Sequence, residues 1–403
     1  MALVRRPVLL GLVIALVAFN LRPALASVGP VLPELRAGLR LSGPATAVLT
    51  MLPVVFFGLL APAAPRLARR AGIEPVLMVA LLALLAGLAV RTVAGPGLLF
   101  AGTILVGGAI GVGNVLLPPL IKRDFPERTG AMMGVYTMSV AGSAAVAAGT
   151  TVPVSTLLGW DWRGALAMWA IPAALAAVAW LPQARGHTRP AEEPGGPSLA
   201  RDALAWQVTV FFGLQSMLFY ALLAWLPSMY RDYGFSPAAA GFVLSLSGLV
   251  QIPVTLVLPG IAVRAPHQVT HIVLATAVFG AGLAGVLLAP TAAPYLWAVL
   301  IGVGAGSCFA LGLALFVLRT RRVQETARLS AMAQSVGYLI SACGPLLFGL
   351  VHDATGSWTA PMLMLVLLLG PLLWCGVLAG RARSVRGPAV ASPVSVAGPG
   401  GSH

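Results

Sequence analysis

The chain has 403 residues, of which 59% are hydrophobic and only 9% are charged. Soluble proteins carry about a quarter charged residues, so this composition excludes a soluble fold and predicts a helical membrane protein. The net charge is +14 at pH 7, but the basic residues form short clusters between apolar runs, which indicates membrane topology and no nucleic-acid partner. The three cysteines lie singly in apolar runs, so neither a disulfide framework nor a metal site nor a cofactor is predicted.

Twelve apolar runs are long enough to cross a bilayer core of about 30 Å, which takes about 20 residues each. Their approximate limits are 7–28, 44–63, 73–94, 97–121, 129–152, 164–181, 204–226, 237–261, 268–289, 293–318, 328–350 and 358–379. We therefore predict an all-α membrane protein with twelve transmembrane helices in two pseudo-symmetric six-helix bundles. The predicted boundaries are 1–182 for the N-terminal bundle, 183–202 for a cytoplasmic linker, 203–382 for the C-terminal bundle and 383–403 for a flexible cytoplasmic tail.

Basic residues predict the orientation of these spans. If the N-terminus is cytoplasmic, 19 of the 25 basic residues lie on the cytoplasmic side and Arg22 lies within the first span. Five lie outside: Arg36, Arg40, Arg91, Arg163 and Arg231. This asymmetry predicts a multi-pass protein of the inner (plasma) membrane with both termini in the cytoplasm. The first span also imitates a cleavable signal, but its removal would leave eleven spans and break the asymmetry, so we expect it to be retained.

The two halves share short motifs in the same order. Leu32-Pro33 recurs as Leu226-Pro227, and Gly111-x-Gly113-Asn114 recurs near the same offset as Gly304-x-Gly306-Ser307. Transporters are commonly built from such repeats, with the substrate site between them. The repeats therefore favour a central cavity between the two bundles.

Polar residues inside the spans are candidates for binding a solute. Arg22 is the charged residue expected within a span, and a guanidinium facing a cavity would bind a small planar anion or a nitro or carboxylate group. The alternative is that Arg22 reaches to the outer interface or bonds a helix carbonyl. The other candidates are amides and phenols, each of which could instead form a structural interhelical hydrogen bond: Asn20, Asn114, Tyr136, Gln215, Gln334 and Tyr338. Tyr220 and Gln251 are further polar residues inside the spans.

Spacing pairs some of these candidates. Gln334 and Tyr338 are four residues apart and share a helix face, and Asn20 is expected to share a face with Ser27. No Asp or Glu is expected within a span and the five histidines are peripheral, which disfavours a carboxylate proton relay. A P-loop is absent from the sequence, and no nucleophile, base and acid cluster at one depth, so an enzyme is not predicted.

Two longer motifs resemble a known family. The first is Asn20-Leu21-Arg22-Pro23-Ala24 followed by Ser27-Val28-Gly29-Pro30. The second runs from Gly113-Asn114-Val115-Leu116-Leu117-Pro118 through Ile121-Lys122-Arg123-Asp124-Phe125-Pro126 to Gly134 and Tyr136-Thr137. Both are similar to the cyanate and 2-nitroimidazole transporter family of the major facilitator superfamily, and the resemblance covers nearly the whole chain.

The resemblance implies a secondary active transporter that works by alternating access on a small anionic or nitro-bearing solute, such as cyanate or a nitroimidazole. It makes Arg22, Asn20, Asn114 and Tyr136 candidate binding residues. The basic loop after the second span, with Arg66, Arg69 and Arg70, is similar to the superfamily signature but lacks its acidic residue. Lys122, Arg123 and Asp124 follow the fourth span and are expected to serve as a cytoplasmic gate or as topology anchors.

Two other functions stay open at this point. An efflux carrier for drug-like neutral or cationic compounds has the same architecture, although an arginine in its cavity is unfavourable for cations. A non-transporting membrane sensor belongs to another class, and the duplicated halves argue against it. The expected partners are a small-molecule solute and the lipid bilayer, and the expected oligomeric state is a monomer.

Overall fold

The computed structural model describes residues 7–93, 95–185, 199–320 and 323–385. The described residues contain sixteen α-helices: α1 Pro7–Phe19, α2 Pro23–Ala26, α3 Val28–Leu39, α4 Gly43–Leu60, α5 Ala63–Ala71, α6 Ile73–Val90, α7 Pro96–Asp124, α8 Thr129–Leu157, α9 Trp162–Ala167, α10 Ala170–Trp180, α11 Ala203–Asp232, α12 Pro237–Arg264, α13 Val269–Leu288, α14 Pro294–Leu318, α15 Val323–Thr355 and α16 Thr359–Gly380. Residues 186–198 of the predicted linker and 386–403 of the predicted tail lie outside the described residues.

Twelve segments of the described chain are long and apolar enough to cross a membrane, which confirms the twelve predicted spans. The first span combines α1 with α2, and the sixth combines α9 with α10. The helices form the two six-helix bundles expected of this fold. Across the boundary between the bundles, α4 packs against α15, α8 packs against α12, and α3 packs against α11.

The first span is the clearest departure from the predicted helices. It was expected to be continuous over 7–28, but α1 ends at Phe19 and α2 begins at Pro23. A residue before proline is disfavoured in the α conformation, and Arg22 has φ −127° and ψ −33°. The break interrupts the helical spacing on which a shared face of Asn20 and Ser27 depended, so that expectation does not hold.

One end of the bundle boundary is closed. There, Arg231 Nη1 lies 2.7 Å from both carboxylate oxygens of Glu34, and Arg36 Nη2 lies 3.6 Å from Asp353 Oδ1. Each of these ion pairs joins a residue of the first bundle to one of the second. Gly29 is required nearby, because a Cβ there would lie 2.7 Å from the carbonyl oxygen of Leu223. We call this end of the molecule the closed side.

The opposite end carries α5, the end of α7, the end of α14 and the start of α15, and we call it the basic side. Arg66, Arg69 and Arg70 are exposed there on α5.

In each bundle an arginine at the end of one helix contacts a side chain at the start of the preceding helix. Arg123 Nη1 lies 2.8 Å from Glu74 Oε1, and Arg319 donates to Gln268 Oε1. The pairs lie at equivalent places in the two halves, as a duplicated fold requires.

Candidate functional site

A cavity of about 250 Å³ lies between the bundles. Its wall reaches from Arg22, at the break in the first span, to Val317 in the last turn of α14 and Thr326 in the first turn of α15. Val317 is 62% exposed. The cavity therefore extends from the middle of the molecule to the basic side, and both bundles contribute to it.

Arg22 lies at the inner end of this cavity. Its side chain is only 7% exposed, and its Nη1 donates a hydrogen bond to the hydroxyl of Tyr220 in the other bundle. Its Cζ lies 5.2 Å from the ring centre of Tyr220 and 5.7 Å from that of Phe219. A guanidinium at these distances is attracted to both aromatic faces, so the two rings fix its position.

Arg22 carries the only formal charge among the described residues that line the cavity. A charge that is buried in a membrane protein without a counter-ion is costly. The aromatic faces and the Tyr220 hydroxyl offset part of that cost, but they carry no opposite charge. The arrangement can therefore bind a negatively charged or strongly dipolar group at this end of the cavity.

Asn114 and Tyr136 lie together on the first-bundle wall. The Tyr136 hydroxyl donates to Asn114 Oδ1 at 3.3 Å, and both side chains line the cavity. Asn114 Nδ2 is buried and has no hydrogen-bond partner among the described residues. Since buried amides nearly always find a partner, this N–H₂ group is a donor available to a solute.

Three candidates of the second bundle also line the cavity: Gln215, Gln334 and Tyr338. Gln215 Nε2 donates to the Phe212 carbonyl and the Ser216 hydroxyl, at 3.1 and 2.6 Å. Gln334 Nε2 donates to the Ser330 hydroxyl at 2.8 Å. All three of these hydrogen bonds use the Nε2 atoms, and none of them uses the amide oxygen of Gln215 or Gln334. The Tyr338 ring packs edge-on against Tyr220 with 6.4 Å between ring centres.

Asn20 is not brought to the cavity with the other candidates. Its Nδ2 donates to the carbonyl oxygens of Leu16 at 2.8 Å and Pro172 at 3.1 Å. The first bond satisfies a carbonyl at the end of α1, and the second ties that end to α10. The geometry of Asn20 is that of a structural bridge within the first bundle.

The predicted gate residues lie on the basic side. Arg123 binds Asp124 through Nε and Nη2, at 2.5 and 2.9 Å, in addition to Glu74. All three residues belong to the first bundle. Lys122 is in the last turns of α7, but its side chain lies outside the described part of the chain. Glu74 is buried in the first turn of α6, inside a span, so the expectation that spans contain no acidic residue was wrong.

Sequence reasoning missed two features of the interior. Phe219 was not predicted, and Tyr220 was noted as a polar residue within a span but not assigned to the site, although both rings hold Arg22. An aromatic pair in a span facing an unpaired arginine was the available signal. Arg91 was assigned to an outer loop, but it is 1% exposed. Its position at the end of an apolar run concealed this, because burial there depends on the packing of other helices.

Comparison with known proteins agrees with this architecture. Residues 8–315 match the family described as "Major Facilitator Superfamily". The chain is 38% identical to the 2-nitroimidazole transporter of Escherichia coli (strain K12), over 93% of this chain and 95% of the relative. It is 40% identical to an uncharacterized transporter of Bacillus subtilis (strain 168), over 92% and 93%. It is 32% identical to the cyanate transport protein of Escherichia coli (strain K12), over 86% and 91%.

A solved structure shares the fold at much lower identity. A crystal structure of the nucleoside transporter NupG superposes with a TM-score of 0.74 over 92% of this chain and 99% of its own, at 13% identity. This likeness concerns the fold alone. The family match and the relatives show that the chain is a multi-pass membrane transporter of a small solute and not an enzyme.

Proposed function

The chain belongs to the cyanate and 2-nitroimidazole transporter family of the major facilitator superfamily, and from that premise we propose that it carries a small anion or a nitro-bearing compound by alternating access. The observation that carries the proposal is Arg22. It is a buried, unneutralised guanidinium at the inner end of a cavity whose other described wall residues are uncharged.

The chemistry of the site fits this class of solute. A guanidinium has five N–H donors, and the bond to Tyr220 uses one of them. Planar guanidinium edges match carboxylate, nitro and similar groups by paired hydrogen bonds. Asn114 Nδ2 supplies a further donor, and the ring of Tyr338 provides an apolar wall. A cationic drug would meet an unfavourable charge at this end of the cavity, which disfavours the alternative of a cation efflux carrier.

The two ends of the molecule fit one state of an alternating-access cycle. The cavity extends to the basic side, while ion pairs and tight helix contact close the opposite side. We place the basic side in the cytoplasm, since basic residues concentrate in cytoplasmic loops. The described conformation is then inward-facing, and solute exchange requires the closed side to open while the cavity mouth narrows.

Uptake into proteoliposomes tests the proposal. Purified protein is reconstituted, and uptake of radiolabelled cyanate and of 2-nitroimidazole is compared between the wild type, Arg22→Gln and Arg22→Lys. We expect Arg22→Gln to abolish uptake of the carried compound and Arg22→Lys to retain part of it, because lysine keeps the charge but loses the planar fork. Arg264→Gln is the matched control, since Arg264 is an exposed arginine away from the cavity. Unchanged uptake by Arg22→Gln, in protein that inserts normally, would contradict the proposal.

A further inference from the structure

A second cavity lies near the closed side, between helices of the first bundle and α11 of the second. Its volume is about 40 Å³, and its wall includes Ala24, Thr50, Arg91, Thr103 and Tyr220. By the usual requirement of about 10–15 Å³ per water, it has room for roughly three water molecules or one triatomic ion. Tyr220 and Leu223 also line the large cavity, so the residue whose ring holds Arg22 is part of the wall shared by the two spaces.

Arg91 is the charged residue of this second cavity. It is 1% exposed, and its Nη1 donates to the Ala24 carbonyl at 2.7 Å. Gly102 lets α7 approach the backbone of Arg91 closely, since a Cβ on Gly102 would lie 2.6 Å from the backbone nitrogen of Arg91. None of the carboxylates in the described residues forms an ion pair with Arg91.

The other two guanidinium nitrogens of Arg91 have no hydrogen-bond partner among the described residues. They are Nε and Nη2, and both are buried. These two atoms form one side edge of the guanidinium, and their N–H groups point in nearly the same direction. That edge is the fork by which arginine binds a carboxylate or similar anion through two parallel bonds. A buried cation with an unpaired fork is costly unless something satisfies it.

The geometry points to a second anion-binding site at Arg91, which takes a small planar or linear monovalent anion of up to about three heavy atoms. The inference rests on the proposed function, because both sites then belong to one anion path. An anion that enters from the closed side, once it opens, meets Arg91 first. Displacement of Tyr220 then connects it to Arg22 and the large cavity.

Equilibrium binding of radiolabelled formate to the purified protein tests this site. Formate is the probe because it is a small planar anion with two oxygens for the fork. We expect the wild type to bind two formate ions per chain at saturation, and Arg22→Gln and Arg91→Gln to bind one each. Arg91→Lys keeps a donor for Ala24 but loses the fork, so its second site should be at least tenfold weaker. Thr103→Leu fills the cavity without changing Arg91, and it should also remove one ion.

The outcomes separate this inference from the proposed function. A wild type that binds one formate, lost in Arg22→Gln and retained in Arg91→Gln, overturns the second site and leaves the proposed function intact. One formate lost only in Arg91→Gln supports the second site and contradicts the role of Arg22. No binding of formate by the wild type overturns the second site, while the uptake experiment decides the proposed function separately. The number of formate ions bound by the wild type does not depend on whether any variant folds. Only variants whose gel-filtration profile matches that of the wild type are compared with it.

Discussion

Removing the two ion pairs of the closed side should shift the protein toward a state that is open on that side. The double variant Glu34→Gln with Asp353→Asn removes both carboxylates and leaves Arg231 and Arg36 unpaired. The side chains of the first pair are 43% and 22% exposed, for Glu34 and Arg231, and those of the second are 40% and 23% exposed, for Arg36 and Asp353. Solvent therefore screens both interactions substantially.

The magnitude follows from that exposure. Partly exposed ion pairs contribute about 0.2–1 kcal/mol each, so the two together contribute roughly 0.4–2 kcal/mol to closure. Since every 1.4 kcal/mol is a factor of ten, the ratio of open to closed molecules should rise about 2-fold to 30-fold. The effect should shrink in high salt. Removing a salt bridge within one bundle, by Asp161→Asn, should leave the ratio unchanged, because Asp161 pairs with Arg163 beside it.

Double electron–electron resonance, which reports the distance between two spin labels, measures this ratio. Labels on Leu158→Cys and Ala292→Cys, in a chain whose native cysteines are replaced by alanine, report the distance between loops of the two bundles on the closed side. We expect a longer-distance population to grow in the double variant. When Glu34→Gln is replaced by the charge swap Glu34→Arg with Arg231→Glu, which restores an ion pair at this place, the longer-distance population should fall toward the wild-type level. Identical distance distributions in the wild type and the double variant would show that these ion pairs do not hold the side closed.

Three further substitutions test other parts of the structure. Gly29→Ala should also favour the open state, because its Cβ would meet the Leu223 carbonyl at 2.7 Å; the same spin-label distances measure it, and no change would show that the helices yield easily. Glu74→Gln should destabilise the first bundle, because it weakens the 2.8 Å contact between Glu74 and Arg123. The expected loss is about 1.5–3 kcal/mol, the contribution of a hydrogen bond to a charged group. A melting temperature equal to that of the wild type would contradict this. Gln334→Ala should weaken solute binding without lowering the melting temperature, since its amide lines the cavity; calorimetric titration with the carried compound checks the first part, and unchanged affinity would exclude Gln334 from binding.

Much of the fold could be predicted from the sequence, because a bilayer demands long apolar helices and cytoplasmic loops attract basic residues. All twelve spans are found in the described chain. The break at Arg22 was missed even though Pro23 was in view, since proline inside membrane helices is often tolerated. Whether proline breaks the helix depends on what satisfies the freed carbonyls at the end of α1, and here Asn20 Nδ2 donates to one of them, that of Leu16.

The candidate site could be predicted only in its residue types. Arg22 stands out as a charge in an apolar run, but its contact with Tyr220 spans 198 positions and depends on how the two bundles pack. Asn20 and Asn114 look alike in sequence, yet one bonds a neighbouring helix carbonyl and the other leaves an N–H₂ group without a partner. Such differences arise from helix rotation by a fraction of a turn, which apolar periodicity does not fix in a helix that is hydrophobic all round.

Recognition of negative charge by Arg22 can be measured by comparing the binding of formate with that of its neutral near-isostere formamide. Binding of each compound is measured to two proteins that both carry Arg91→Gln, one with Arg22 intact and the other with Arg22→Gln. We expect the protein with Arg22 to bind formate more tightly than formamide and Arg22→Gln to remove this preference. Equal binding of the two compounds by the protein with Arg22, or an undiminished preference after Arg22→Gln, would contradict this expectation.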